Sequence, residues 1–210
     1  MKKGERTRQA IIEAAQDLFF EKGPLNVSAK EVALRANITQ PAVYAYFKSM
    51  EELLAAACLD SVQRGRAFID ARLLTDVRAD ERLRSYLVAN LEWITENRRD
   101  GFGILLIFSF GISSPALGQL HRQIDEGSIT RLETHLKHGV YEGTWKFSDT
   151  AERARALHNL LTGEMIKALR SPQEVPIATR IDRTWATAHA ILTAAPTASI
   201  KGRRARPSRA

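Results

Sequence analysis

The residues with the most to offer chemically lie in one run, Thr39-Gln40-Pro41-Ala42-Val43-Tyr44-Ala45-Tyr46-Phe47-Lys48. Val43 and Phe47 are four apart and share a helical face. With that pair turned inward, Gln40, Pro41, Tyr44 and Ala45 face outward and Tyr46 lies to the flank. A merely solvated helix would carry Lys and Glu there. An amide, a pyrrolidine ring, a methyl and two phenols suit a surface that touches nucleic acid. The Gln40 carboxamide presents a donor and an acceptor to an adenine edge, and Pro41 and Ala45 offer apolar contact to a thymine methyl. Thr39, Tyr44, Tyr46 and Lys48 carry groups that reach phosphate oxygens, which sets docking without reading sequence. Ser28 could do the same from an earlier helix start, and Lys2, Lys3 and Arg6 could track the backbone beside it.

Other chemistries find little support. The chain shows no metal-ligand spacing, no nucleotide-binding glycine loop and no nucleophile with a legible base, so neither an enzyme nor a cofactor or metal is expected. His135 and His138 stand three apart without acidic or thiol company and read as a solvated pair. A single cysteine, Cys58, excludes an intrachain disulfide and reads as an inert core thiol. The charged N-terminus leads into an amphipathic pattern, not an apolar signal region. The most apolar run, from Ile104 to Ile112, is too short to span a bilayer and reads as a buried helix. A reduced, cytoplasmic protein with no membrane partner is the expectation.

The elements that must hold the reading surface are helical. Ile11, Ile12, Ala15, Leu18 and Phe19 share a face, and Gly23 and Pro24 close the segment. Ser28-Ala29-Lys30-Glu31 has capping-box spacing, with Val27 before it and Val32, Ala33 and Ala36 anchoring about two turns. Asn37 follows where a left-handed residue would end that helix, and Ile38 would plug the turn into the core. Thr39 can cap the next helix, whose first turn loses nothing to Pro41. Ser49 can cap a long fourth helix that runs on toward Leu73. Two short helices joined by a tight turn, with a third packed across them, make a helix-turn-helix. Beyond lie helices over roughly 81–97, 102–112, 116–138, 151–170 and 176–193. The fold class is all-α: an N-terminal three-helix DNA-binding domain (5–50), a helical bundle for ligand binding and dimerisation (51–195), and a disordered basic tail (196–210).

Charge follows the same division. Of the net +7, residues 1–50 contribute +3 and residues 201–210 contribute +5, leaving the long middle at −1. A basic head and tail around a near-neutral body point to polyanion binding at the ends.

From Thr7 to Ala55 the chain resembles the DNA-binding signature of the TetR family of transcriptional regulators. The resemblance rests on Thr7-Arg8-Gln9-Ala10-Ile11-Ile12-Glu13-Ala14-Ala15, Leu18-Phe19, Val32 to Thr39, Gln40 to Ser49 and Glu51-Glu52-Leu53-Leu54. It implies that Thr39, Gln40, Pro41 and Ala42 face bases, and that Ser28, Tyr44, Tyr46 and Lys48 meet phosphates. Three positions depart from the pattern: Asn37 replaces the usual turn glycine, Tyr46 stands where histidine is frequent, and Met50 stands where lysine is usual, next to Lys48.

A single head reads one half-site, so specificity calls for a symmetric pair about one helical turn (~34 Å) apart or a multiple of it. The last two helices offer apolar faces for such a homodimer: Ala154, Leu157, Leu160, Leu161, Met165, Ala168 and Leu169, then Ile177, Ile181, Trp185, Ala188, Ile191 and Leu192. In proteins this chain resembles, these helices pair with their symmetry mates. The middle helices are rich in rings and poor in fixed charge, which suits a small apolar or amphipathic effector. Trp93, Phe102, Phe108, His121 and Asn159 are its candidate contacts, with Gln119, His158 and Glu164 as further polar candidates. The expected function is a homodimeric repressor released from a palindromic operator by that effector. An activator, a ligand-promoted binder and a nonspecific architectural DNA binder using the arginine tail are the alternatives.

Overall fold

The computed structural model describes residues 3–195, and within them the chain is helical throughout. Lys2 and the tail expected over 196–210 lie outside the described residues. The order is α1 (Lys3–Lys22), a single 3₁₀ turn (Pro24–Asn26), α2 (Ala29–Arg35), α3 (Gln40–Tyr46), α4 (Met50–Asp70), α5 (Ala79–Glu96), α6 (Arg98–Phe110), α7 (Pro115–Tyr141), α8 (Thr150–Arg170) and α9 (Ile177–Thr193). None of these helices, taken singly, is long and apolar enough to cross a membrane.

The local signals near the N-terminus act as anticipated. Ser28 caps α2 in a complete capping box: its hydroxyl accepts from the Glu31 amide, and the Glu31 carboxylate accepts from the Ser28 amide at 2.9 Å. Val27 and Val32 bury their side chains on either side of that cap. At the other end Asn37 is left-handed with φ 54°. The Ile38 amide donates to the Ala33 carbonyl at 2.9 Å and the Asn37 amide to Leu34 at 3.2 Å, a Schellman stop that sends the chain sharply into α3. Thr39 caps α3 and Ser49 caps α4.

Glycines explain where the helices differ from the sequence reading. A break was expected over 97–101, yet only Asn97 leaves helical geometry and α6 begins at Arg98. Gly101 and Gly103 look like helix breakers because they lack side chains. They lack them because a Cβ on Gly103 would come within 2.8 Å of Ser61 Oγ on α4. Similarly α7 continues past the expected end at 138. Gly139 lies in its last turn, covered by the Trp145 ring, and the left-handed Gly143 (φ 77°) supplies the stop. The Thr144 amide closes that turn on the Gly139 carbonyl at 2.8 Å.

Packing runs across the boundary between head and body. One continuous buried cluster joins Ile11, Leu18, Phe19, Val32, Val43 and Phe47 to Leu53, Ala57, Cys58, Leu106, Ile107, Leu117 and Leu120. A second cluster fills the body through Leu83, Leu87, Leu91, Leu132, Leu136, Leu157 and Leu161. Cys58 is 1% exposed, and burial pushes its thiol up to about 12, which keeps it protonated and inert. Of the Ile104–Ile112 run, Leu106 and Ile107 are buried, whereas Ile112 is 94% exposed just past the end of α6.

Two outcomes test this account. Gly139→Ala should cost about 1–3 kcal/mol of stability, because the new methyl overlaps the Trp145 ring; urea denaturation measures it, and a loss within error of zero would remove the packing argument. The Lys22 ammonium, with the Ser28 amide and hydroxyl, holds the Glu31 carboxyl well below its ordinary 4.5, at about 2. Because the folded value is the lower one, the cap's contribution is complete above pH 4.5 and disappears as pH falls toward 2. Carbon-detected NMR titration of Glu31 should show this low midpoint, and Ser28→Ala should raise it.

Candidate functional site

The reading surface is built from α3 and the residues that cap it. Val43 and Phe47 are each 1% exposed and anchor α3 onto α1 and α2, and the Arg8 guanidinium lies over the Phe47 ring, 5.0 Å from its centre. This leaves Thr39, Gln40, Pro41, Tyr44, Ala45 and Lys48 exposed and Ala42 half-buried. Tyr46 is also half-buried, with its phenol against the first turn of α1, where a Cβ on Gly4 would be 3.8 Å from the hydroxyl. Ser28 is exposed at the start of α2. From Val32 to Met50 the chain holds Arg35 and Lys48 and no carboxylate, so nothing on this stretch repels a phosphate backbone. Arg35 is held by a two-pronged ion pair to Glu21 at 3.0 and 2.8 Å, which ties α2 to α1.

Behind the head, a polar knot joins three helices. Arg64 on α4 donates to both oxygens of Asp100 on α6, at 3.0 and 2.7 Å, and to Gln16 Oε1 on α1 at 2.7 Å. Its other terminal nitrogen meets Asp60 at 2.7 Å. Gln16 returns donors to the Ala57 carbonyl (2.9 Å) and Asp60 (3.0 Å), and Ser61 donates to Asp100 at 3.3 Å. Gln16, Ser61 and Asp100 are buried, so each needs these partners. Arg99 adds an ion pair to Asp17 on α1 at 2.6 Å, and Ser114, the cap of α7, donates to Glu51 at 2.5 Å. The knot had no periodic signal in the sequence. Arg64 lies 48 residues from Gln16 and 36 from Asp100, so only the packing of α1, α4 and α6 could reveal it.

On the other side of α4 lies a cavity of about 240 Å³. Val62, Gly65, Arg66 and Ile69 line it from α4, Tyr86, Asn90, Trp93 and Ile94 from α5, and Ile104, Leu105 and Phe108 from α6. Residues of α7 and α8, including Ile124, Arg131, His158, Leu161 and Met165, complete the wall. Trp93 and Phe108 from the predicted effector contacts are among these residues, and His158 joins them. The other predicted contacts stand elsewhere. Phe102 faces the head, edge-on to Phe20 at 5.7 Å, because the turn of α6 that carries it is buried against α1. His121 sits behind Phe108, ring to ring at 4.6 Å, and shares Asp125 with His158. Asn159 is on the exposed face of α8, one position past His158. Glu164 is engaged with Arg180 and Lys167. Sequence reasoning missed Tyr86, Asn90, Arg66 and Arg131, which look like ordinary helix residues until five helices close around them.

One further expectation changes. His135 is not solvated: its ring packs at a tilt against Tyr86, 5.5 Å between centres, and its Nε2 is buried without a partner among the described residues. Burial first, and then the charges of Arg82 and Arg131, hold its pKa down at about 4, so it is neutral at physiological pH. The apolar faces of α8 and α9 are divided: part of each is buried within the chain and part stays half-exposed. Ala154, Leu157, Leu161, Ala168, Ala188 and Leu192 are buried in it already, leaving Leu160, Met165, Leu169, Ile177, Ile181, Trp185 and Ile191 half-buried. Arg153, 5% exposed, bridges the two helices by donating to the carbonyls of Ile191 and Ala194.

Known proteins place this geometry. Residues 11–57 match the family model of bacterial regulatory proteins, tetR family. The HTH-type transcriptional regulator SrpR of Pseudomonas putida is 26% identical over 174 residues, which is 81% of this chain and 78% of SrpR. An HTH-type transcriptional repressor of Mycobacterium tuberculosis is 35% identical over 52 residues, covering 25% of this chain and 28% of the repressor. Among solved structures, a transcriptional regulator from Rhodococcus superposes with a TM-score of 0.77 at 20% identity, over 88% of this chain and 95% of that one. With the helix-turn-helix, its carboxylate-free reading face and a likeness to SrpR that extends over most of both chains, residues 11–57 carry the DNA-binding domain of the tetR family, in a chain similar along most of its length to an HTH-type transcriptional regulator.

Proposed function

We propose that the chain acts in the cytoplasm as a homodimeric repressor, released from a palindromic operator when a small molecule enters the cavity behind α4. In this reading residues 5–50 dock on DNA, residues 51–195 sense and dimerise, and residues 196–210 add nonspecific affinity. The observation that carries it is the two-sided use of one stretch of α4. Ser61 and Arg64 grip the head and α6, while Val62, Gly65 and Arg66 in the same turns line the cavity. A ligand that shifts α4 or α6 cannot leave the polar knot undisturbed, so the head must follow. Two heads on successive turns of one duplex tolerate little change in separation, and the ligand shifts the equilibrium only as far as it prefers the splayed form. The half-buried Leu160, Ile181 and Trp185 are candidates for the two-fold contact through α8 and α9, and the similarity to a mycobacterial repressor favours repression.

Selection of bound DNA from a random pool should yield a two-fold symmetric site, and light scattering should give a dimer; a monomer without preference for symmetric sites would overturn the proposal. On the selected site, Gln40→Ala should lose about 1–3 kcal/mol while binding to scrambled DNA stays nearly unchanged. Equal losses on both would remove Gln40 from base reading. Asp100→Asn tests the linkage. It keeps the shape of the knot but takes one charge from it, and should shrink the effector-induced change in operator affinity by on the order of fivefold. Anisotropy titrations with and without a saturating effector, found by screening for release, measure this, and an unaltered change would exclude the knot as the link.

A further inference from the structure

The cavity has a chemical polarity that the effector reading leaves open. Its wall is mostly apolar, interrupted by Tyr86, Asn90, Ser128, Thr162 and a His158 paired with Asp125 at 3.1 Å, and the Lys, Arg, Asp or Glu side chains that line it are Arg66 and Arg131 alone. Arg131 is already neutralised by Asp70 at 2.6 Å. Arg66 makes no hydrogen bond or ion pair among the described residues; it is exposed at the rim, where its Nη2 would lie 3.4 Å from a Cβ on Gly127 across the mouth. An unpaired guanidinium beside an apolar cleft is placed to receive an anionic group in a forked pair while the rest of the ligand is desolvated.

Resting on the effector reading for its site, we infer that the occupant is a small amphipathic monoanion, its carboxylate or sulfate head on Arg66 and its apolar body against Trp93, Ile104 and Phe108. Size narrows the class. At about 240 Å³ the cavity is below the roughly 300–1,000 Å³ of sites for drug-sized ligands. At ~30 Å³ per water, this is room for about eight waters or a similar number of methylenes. Gly65 belongs to the same design, since a Cβ there would press into the Trp93 ring at 2.8 Å and close the space beneath Arg66.

Calorimetry on the full chain with octanoate, octyl sulfate, octanol and octyltrimethylammonium, each below its micellar concentration, tests the inference. The wild type should bind at least one of the anions about tenfold more tightly than the alcohol or the ammonium. Octanoate and octyl sulfate separate planar from tetrahedral head groups, and preference for either is consistent. Arg66→Gln should bring the anions to the level of the alcohol and leave alcohol binding unchanged, whereas Arg66→Lys should keep most of the preference. Because Arg66 is exposed and unpaired, thermal stability should not change in either variant. Equal affinity for the alcohol, preference for the ammonium, anion binding indifferent to Arg66→Gln, or no binding by any of the four overturns the inference. Operator release is measured separately. An alcohol or ammonium that binds and releases DNA where the anions do not overturns the anion class but keeps the effector reading. Anions that bind through Arg66 without releasing DNA do the reverse.

Discussion

Arg64 must satisfy three neighbours at once, and much else in the chain is arranged so that it can. A guanidinium packed between α1, α4 and α6 is tolerable only if carboxylates and amides surround it, and Asp60, Asp100 and Gln16 do so within 2.7–3.0 Å. In turn Asp100 and Gln16 are buried and would be left unsatisfied without it. The cluster tolerates little sliding between the helices, because each hydrogen bond is directional in a way that apolar packing is not. Gly103 brings α6 close enough for the geometry to close, with Ser61 where a side chain would otherwise stand.

Head and body therefore form one mechanical unit, even though their roles differ. The apolar cluster that holds α3 continues without interruption into α6 and α7. On the proposed reading, the boundary near residue 50 divides functions but not packing. Only one turn of α4 separates groups that face the head from groups that face the cavity. On the same reading, that closeness would let a ligand of modest size be felt at α3, a helix it never touches.

The body spends its apolar surface in an unexpected way. The stripes on α8 and α9 read as a partner surface, yet Leu157, Leu161 and Leu192 are buried in the chain's own second core, and only the half-buried residues beside them keep area for a partner. A hydrophobic stripe tells how much area must leave water, not whose area covers it. Buried arginines at the α8–α9 seam, Arg153 on backbone carbonyls and Arg180 on Glu164, fix the two helices against each other before any partner arrives.

What could be read from the residues alone was local. The caps at Ser28, Thr39 and Ser49, the left-handed stop at Asn37 and the inward pair Val43 and Phe47 each depend on interactions within a few residues, so their types and spacing were sufficient. The exposed Gln40, Pro41 and Tyr44 followed from the same periodicity. Tertiary structure decided the rest, because those contacts join residues far apart in the chain. It showed that Gly101, Gly103 and Gly139 mark close approaches and not breaks, and that Phe102 faces the head and not the cavity. It turned His135 inward, and it gathered Tyr86, Asn90, Arg66 and Arg131 around one space. A helix's own pattern says which face is buried; only the neighbouring helices determine what that face meets.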